Sequence, residues 1–279
     1  MPQKDIYVIK HSGEKQAFDF NKLKSSLQKS RIPEQTAEKV AEHIKKEVKN
    51  GMTTNEIYDS AYDFLHAIER TSAAKYSLRR SIFSLGPTGF PFEDLVGEIF
   101  KKKGYSIKND VMIQGKCVSH EIDLVAWKEN SVIVSEIKFH NKVGEKTDLK
   151  VALYVKARLD DLYKSTLHLD GKERHMDEGW LVTNTKFTTT AIQYGTCENI
   201  KLIGWSYPKE GNLQNLIEEC GLHPLTCLTT LSFNEKRTLL EKGIVICKTL
   251  ENNHEILRDL RLDDERIKEV LEEIKVLTT

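Results

Sequence analysis

The sequence predicts an α/β protein in three parts. A small α+β unit over residues 1–86 combines a β-hairpin with four helices. A central α/β sandwich with a mixed sheet spans 90–207, and a small helical module fills 208–279. Three observations lead there. The run Leu85-Gly86-Pro87-Thr88-Gly89-Phe90-Pro91 packs two glycines and two prolines into six residues, where no helix continues, between two strongly periodic stretches. Beyond it, helical and strand patterns alternate, as they do when helices are layered on a sheet. After Pro208 only short helical patterns recur.

In the first part, Ile6–Ile9 reads as a strand, His11-Ser12-Gly13-Glu14 as a turn, and Gln16–Phe18 as the return strand. Helices follow at about Asn21–Lys29 and Glu34–Lys49, the second stopped by Asn50-Gly51. Thr53-Thr54-Asn55-Glu56 spells a capping box, so a third helix starts there and runs to about Ala67. The fourth is Ser72–Leu85. In the second part, Pro91 suits the first turn of a helix that ends at Gly104, with Phe92, Leu95, Val96, Ile99 and Phe100 as its apolar stripe. Tyr105–Ile107, Val111–Ile113 and Val118–Trp127 are expected strands, and Glu129-Asn130 turns the chain into a strand at Ser131–Phe139. Thr147 is a candidate cap for a helix over Asp148–Leu167. A strand at Gly179–Thr183, a helix at Thr188–Tyr194 and a strand at Lys201–Trp205 complete the sandwich. The last part holds helices at about Leu213–Cys220, Asn234–Lys242 and Asp263–Lys275.

Composition narrows the function classes. Of 279 residues 39% are hydrophobic and 30% charged, enough for packed cores and unlike a disordered chain. No apolar run approaches the roughly 18 residues of a membrane helix, and Met1–Asp5 carries no signal-peptide core, so a cytoplasmic protein without membrane partners is expected. Five cysteines, Cys117, Cys197, Cys220, Cys227 and Cys247, are scattered without a C-x-x-C pair, which excludes a disulfide framework or zinc site and implies reduced thiols. The 42 basic and 42 acidic residues cancel, which superficially argues against a nucleic-acid partner. By segment they do not cancel. Residues 1–90 hold 15 basic and 11 acidic side chains, 91–207 hold 17 of each, and 208–279 hold 10 and 14.

The chemistry concentrates in Glu121-Ile122-Asp123-Leu124-Val125 and Val132-Ile133-Val134-Ser135-Glu136-Ile137-Lys138. Residues two apart share a strand face, so Glu136 and Lys138 point the same way, with Asp123 within hairpin distance. Two adjacent carboxylates repel unless a proton or cation lies between them, and a hard ion such as Mg²⁺ suits a pair of carboxylate oxygens. Such an ion polarises a phosphoryl oxygen and activates water, while a lysine orients that water or stabilises charge, the equipment of phosphodiester hydrolysis. As a bare spacing, D…E-x-K more often marks unrelated surface residues. Charges in otherwise apolar strands, a preceding helix bearing Glu93 and a following helix rich in Lys and Arg favour a site. His120 and His140 flank it, where histidine is common at sheet ends, and neither is assigned a catalytic role.

Pro91-Phe92-Glu93-Asp94-Leu95-Val96, Lys103-Gly104-Tyr105, His120-Glu121-Ile122-Asp123, Glu136-Ile137-Lys138 and Trp180-Leu181-Val182-Thr183-Asn184-Thr185-Lys186-Phe187-Thr188 together resemble an Mrr-like restriction endonuclease domain of the PD-(D/E)XK group, over about residues 90–207. The resemblance implies that Asp123 and Glu136 bind Mg²⁺ or Mn²⁺, that Lys138 helps activate water, and that Glu93 assists. There are two departures. Cys117-Val118-Ser119-His120 replaces the usual glycine-rich stretch, and Lys150, Tyr154 and Arg158 stand where many members carry a glutamine.

Residues 1–85 contain no phosphate-binding P-loop and no G-x-G-x-x-G. Val8-Ile9-Lys10-His11-Ser12-Gly13, Phe18-Asp19-Phe20-Asn21-Lys22-Leu23, Thr53-Thr54-Asn55-Glu56-Ile57 and Tyr76-Ser77-Leu78-Arg79-Arg80 nevertheless resemble the ATP-cone, the allosteric nucleotide module of ribonucleotide reductases. That resemblance implies ATP or dATP as an allosteric ligand, with the backbone near Val8 at the base, Lys10 and Lys22 at phosphates and a hydroxyl contact from Thr54. Gln16 stands where an acidic residue can occur. It also implies a ligand-set homo-oligomer, a dimer or tetramer. In the last part, Leu225–Phe233 and Leu239–Val245 loosely resemble a helix-hairpin-helix, but the acidic balance favours docking on the rest of the chain.

The expected function is therefore a nucleotide-regulated, Mg²⁺-dependent DNA endonuclease of prokaryotic restriction or phage defence. The alternatives are a non-catalytic nucleotide-sensing DNA-binding regulator, or a structure-specific nuclease acting on junctions or RNA.

Overall fold

The computed structural model describes residues 6–10, 13–129 and 131–278. His11 and Ser12 of the first expected turn and Asn130 of the later one lie outside the described residues, as do Met1–Asp5. In the first part, β1 (Tyr7–Ile9) pairs antiparallel with β2 (Lys15–Ala17), Val8 opposite Gln16. Helix α1 (Phe20–Lys29) starts where the Asp19 carboxylate accepts the Asn21 and Lys22 N–H groups, satisfying donors that have no partner within the helix. After α2 (Glu34–Glu47), α3 (Thr54–Ile68) opens on the expected capping box. Glu56 N–H donates to Thr53 Oγ1 at 3.1 Å, and Thr53 N–H donates to Glu56 Oε2 at 2.7 Å. Helix α4 (Arg70–Phe83) is buried on two sides. Ala73 and Tyr76 join Leu27, Ile44 and Leu65 in the first core, while Ala74, Leu78 and Ile82 enter the core of the following part.

Helix α5 (Phe90–Lys102) has Pro91 in its first turn. It precedes the long antiparallel strands β3 (Ser106–Gln114), β4 (Ser119–Lys128) and β5 (Ser131–Lys138). The two short strands expected before residue 114 are one, pairing with β4 on either side of Asp110, whose φ is 52°. The two-residue β6 (Lys146–Thr147) leads into α6 (Leu149–Leu162). Asp148, not Thr147, caps α6, accepting from Lys150 and Val151, because the Thr147 hydroxyl is buried in a polar cluster. The helix is also shorter than expected. The hairpin β7 (Leu167–Leu169) and β8 (Lys172–Arg174) follows, turning on Asp170 and Gly171, both left-handed, an Asp-Gly turn of the kind that matches strand twist. Strand β9 (Glu178–Thr183), the short β10 (Lys186–Phe187), α7 (Thr189–Cys197) and β11 (Lys201–Ile203) close the layer.

The main sheet runs β11-β9-β5-β4-β3, parallel on the β11-β9-β5 side and antiparallel on the other, as a mixed sheet requires. Helix α5 covers one face against Leu124, Ala126, Ile133 and Val182. Helices α6 and α7 cover the other against Val125, Val134, Leu181 and Leu202. Beyond it come α8 (Leu213–Cys220), α9 (Phe233–Glu241), α10 (Cys247–Asn252), α11 (Ile256–Asp259) and α12 (Asp264–Thr278). Their apolar residues, among them Ile217, Leu239, Leu257 and Ile274, continue the α5-side core and meet α4. Helix α8 also reaches the first part, where the Arg31 guanidinium lies 2.9 Å from Glu218. Among the described residues no helix is long and apolar enough to cross a membrane, and all five cysteines are free.

Candidate active site

The site forms where the pleat of the sheet reverses. In β3, Ile107 packs on the α5 face but Val111 and Ile113 pack on the α6 face, although all three positions are odd. In β4, Ile122 faces α6 while Leu124, two residues on, faces α5. A regular strand cannot do this, because its side chains alternate with period two. The reversal falls on Asp110 and Asp123, which lie between the paired rungs Asn109–Leu124 and Val111–Ile122. Asp110 takes the left-handed conformation at little cost, since aspartate tolerates it better than most residues.

On the other side of β4, pairing with β5 stops at Leu124–Ser135, one position short of Asp123 and Glu136. The strands part there, and the Ile137 N–H donates to Asp123 Oδ2 at 2.6 Å in place of a ladder bond. Glu136 turns toward α6. Tyr154 O–H donates to its Oε1 at 3.1 Å, and the Arg158 guanidinium pairs with its Oε2, leaving the glutamate side chain 13% exposed. Arg158 also donates to the Glu121 carbonyl at 3.2 Å, which fixes the guanidinium against β4. Lys138, two residues along the same strand face, is exposed at the strand end opposite Thr183 of β9.

Glu93 enters from the first turn of α5. Its carboxylate folds over Gly89 so closely that a β-carbon there would come within 2.7 Å of Oε1. Burial first, and then the charges of Asp123, Asp110, Asp94 and Glu136, push the Glu93 carboxyl up to about 7. Burial and then Glu136 push Asp123 up to about 6, against the downward pull of the Ile137 N–H and Arg158. Glu93, Asp123 and Glu136 therefore share one electrostatic neighbourhood, with Lys138 beside it. Asp110 is a further acid that sequence reasoning missed. Its signal is the polar Asn109-Asp110 pair that interrupts the strand pattern.

The flanking histidines are committed elsewhere. His120 Nε2 lies 2.8 Å from Asp161, whose carboxylate also accepts the Cys117 and Val118 N–H groups and is held well below the usual range, chiefly by His120. His140 Nδ1 lies 2.9 Å from Glu145 and Nε2 3.0 Å from Thr147 Oγ1. Its backbone exchanges two hydrogen bonds with the Asn184 side chain, at 2.8 and 2.7 Å. Asn184 stands between Thr183 and Thr185, and all three are fully buried beside the strand end that bears Lys138.

Among the described residues no group of three or more His, Cys, Asp or Glu gathers closely enough to cage a metal. The donor set on offer is the two carboxylates of Asp123 and Glu136. Their chemistry fits a divalent ion, since both are oxygen donors and burial, and then the charge of Glu136, makes ionised Asp123 unfavourable without a cation.

In the first part, Ile9 N–H donates to the Met52 carbonyl at 3.0 Å and Ile9 bridges Thr53. This sets Val8 and Lys10 beside the start of α3, which bears the exposed Thr54. Val8 is buried, and the Lys10 ammonium is 2.9 Å from Glu14. Lys22, in the first turn of α1, lines a cavity to which Val8, Lys10 and Thr54 do not contribute.

Family models match along most of the chain. They are the ATP cone domain over residues 6–83, a restriction endonuclease domain over 87–206 and the AF1548-like C-terminal domain over 223–278. An uncharacterized protein of Archaeoglobus fulgidus is 34% identical over 181 residues, 64% of this chain and 98% of its own length. A crystal structure of a protein of unknown function, AF1548, superposes with a TM-score of 0.54 at 33% identity, over 68% of this chain and 98% of that one. The MspJI restriction endonuclease, solved with a 27-mer oligonucleotide, is a distant likeness, with a TM-score of 0.33 at 11% identity over 71% of this chain and 40% of that one.

Proposed function

Since this chain belongs to the AF1548-like family and joins an ATP-cone domain to a restriction-endonuclease domain, we propose that it is a nucleotide-regulated endonuclease that hydrolyses DNA phosphodiester bonds. The observation that carries this reading is the approach of Asp123 and Glu136 at the parting of β4 and β5, with Lys138 next on the Glu136 face. Asp123 and Glu136 are the residues that would hold Mg²⁺ or Mn²⁺. Such an ion supplies charge neutralisation at a phosphoryl oxygen and a more acidic bound water. Lys138 offers an exposed ammonium to a phosphate oxygen or the attacking water. Glu93, near half-protonation at neutral pH, accepts or returns a proton beside them. Arg158 and Tyr154 hold Glu136 in place.

The ATP-cone is the regulatory half, with ATP or dATP meeting Val8, Lys10, Lys22 and Thr54, and with a nucleotide-set dimer or tetramer as the switching assembly. Restriction or phage defence in the prokaryotic cytoplasm is the setting that suits such an enzyme.

Plasmid cleavage in Mg²⁺, with and without each nucleotide, tests the nuclease. Asp123→Ala and Lys138→Ala are each expected to abolish cleavage with the fold intact, and undiminished cleavage by both would overturn the site. Nucleotide-dependent DNA retention without cleavage, in Mg²⁺ or Mn²⁺, would instead support a non-catalytic regulator. Calorimetric titration with ATP and dATP tests the cone. Absence of binding, with Lys10→Ala behaving as the parent, would remove the regulatory half.

A further inference from the structure

A cavity of 470 Å³ lies in the seam between the cone and the nuclease domain. Lys22 and Lys29 of α1, Lys75 and Arg79 of α4, and Lys186 of β10 all line it. The one acid in its wall, Asp19, already accepts two N–H groups as the cap of α1. Among the described residues none of the five cations has a carboxylate within ion-pair distance. The nearby Glu218 is taken by Arg31 and Gln214. Arg79 is half-buried, and its Nε has no hydrogen-bond partner. Burial, and then the charges of Arg79, Lys29 and Lys146, hold the Lys186 ammonium below its ordinary range. Gathering like charges without counter-ions costs free energy that an anion would recover.

The walls also suit the rest of such a ligand. Ser25, Ser26 and Ser206 add hydroxyls, and Tyr58, Tyr76 and Trp205 add aromatic surface. The volume falls in the usual range for small-molecule sites, roughly 300–1,000 Å³, and is too small for a duplex to enter. The cone is also tied to the C-terminal helices, where Gln214 Nε2 donates to the Lys29 carbonyl at 2.9 Å and the Thr226 hydroxyl donates to the Ser81 carbonyl at 2.7 Å.

We propose that this seam is a second anion site, sharing only Lys22 with the nucleotide site assigned to Val8, Lys10 and Thr54, in which Lys29, Lys75, Arg79 and Lys186 take the phosphates of a small polyphosphate ligand, a nucleoside triphosphate by its chemistry, and tie the cone to the nuclease domain. The link to the catalytic strands is short. Lys186 stands three residues past Thr183, the partner of Lys138 in the sheet, and the intervening Asn184 fastens His140. A ligand held by Lys186 therefore bears directly on the strand end that presents Glu136 and Lys138.

The test is calorimetric titration of the 279-residue chain with tripolyphosphate, ATP and a duplex oligonucleotide, in a Lys10→Ala background that removes a phosphate partner assigned to the other site. Tripolyphosphate and ATP are expected to bind, and Lys186→Gln to weaken both by about tenfold or more, the worth of one charge-assisted contact. Because Lys186→Gln relieves crowding of like charges, its ligand-free Tm should equal or exceed that of the parent while the ligand-induced rise in Tm shrinks. Arg79→Gln should weaken binding in the same way. Failure of tripolyphosphate and ATP to bind, unchanged affinity in Lys186→Gln, a fall in its ligand-free Tm, or a loss confined to the duplex would each overturn the proposal.

Discussion

Asp123→Asn tests whether the acids at the parting of β4 and β5 form a strained, charge-loaded site. The amide is nearly isosteric, and its oxygen still accepts the Ile137 N–H that Asp123 takes at 2.6 Å. What disappears is a negative charge held, by burial and by Glu136, in a carboxyl whose pKa rises from 3.8 to about 6. At 1.36 kcal/mol per unit that displacement corresponds to about 3 kcal/mol of disfavoured ionisation. Asp123 is only half-buried, so solvent screening reduces the effective penalty to about 1–2 kcal/mol.

The sign follows from proton linkage. Between pH 4 and 6 the folded Asp123 holds more proton than the unfolded one, so the parent loses stability as pH rises through that window, and the loss persists above it. Asp123→Asn lacks this slope. The variant should match the parent near pH 4 and exceed it by about 2–6 °C in Tm at pH 7.5 without divalent ions. Mg²⁺ should raise the Tm of the parent and leave the variant nearly unchanged, while cleavage is lost. Thermal denaturation at four pH values with and without Mg²⁺, beside a plasmid assay, measures all of this. A variant less stable than the parent at pH 7.5, or one that still cleaves, would refute the reasoning.

Other substitutions probe the supports of the site. Gly89→Ala places a β-carbon 2.7 Å from Glu93 Oε1, at a backbone φ of −76° that alanine adopts freely, so cleavage should fall while circular dichroism and Tm stay near those of the parent. Asn184→Ala removes a fully buried side chain and leaves the partly buried His140 N–H and carbonyl without their partners, and denaturant titration should show a loss of about 2–4 kcal/mol. Tyr154→Phe removes the hydroxyl that donates to Glu136 at 3.1 Å. Denaturation should report a cost of about 1 kcal/mol, with a slower cleavage rate and unchanged DNA retention in gel-shift assays.

The parts of the fold that were legible in the sequence are those where local chemistry alone decides. The Thr53–Glu56 capping box and the proline-started α5 stand where their residues put them. What was not legible depends on partners distant in the chain. Thr147 looks like a cap, but its hydroxyl bonds Thr183 across 36 residues and leaves α6 to Asp148. The β7–β8 hairpin hides because its strands are only three residues each, too short for alternation to register against the helix before them. In the site, Glu136 and Lys138 declare themselves as charges two apart in an apolar strand. Asp110 does not, because its place opposite Asp123 follows from a reversal of the pleat that no window of one strand contains.

Zero net charge is the sum of local excesses that do different work. Acids crowd where β4 and β5 part, and cations crowd in the seam. The segment Thr183-Asn184-Thr185-Lys186 runs from one to the other. Its first three residues are fully buried and bonded to Thr147 and to the His140 backbone, so it cannot shift without breaking hydrogen bonds in a place water does not reach. An anion in the seam alters cleavage only to the extent that it binds one placement of this segment more tightly than another. Neutralising the repulsion around Lys186 supplies such a difference, because the charges that oppose Lys186 sit on α1, α4 and β6, so the strength of the repulsion depends on how closely the cone approaches.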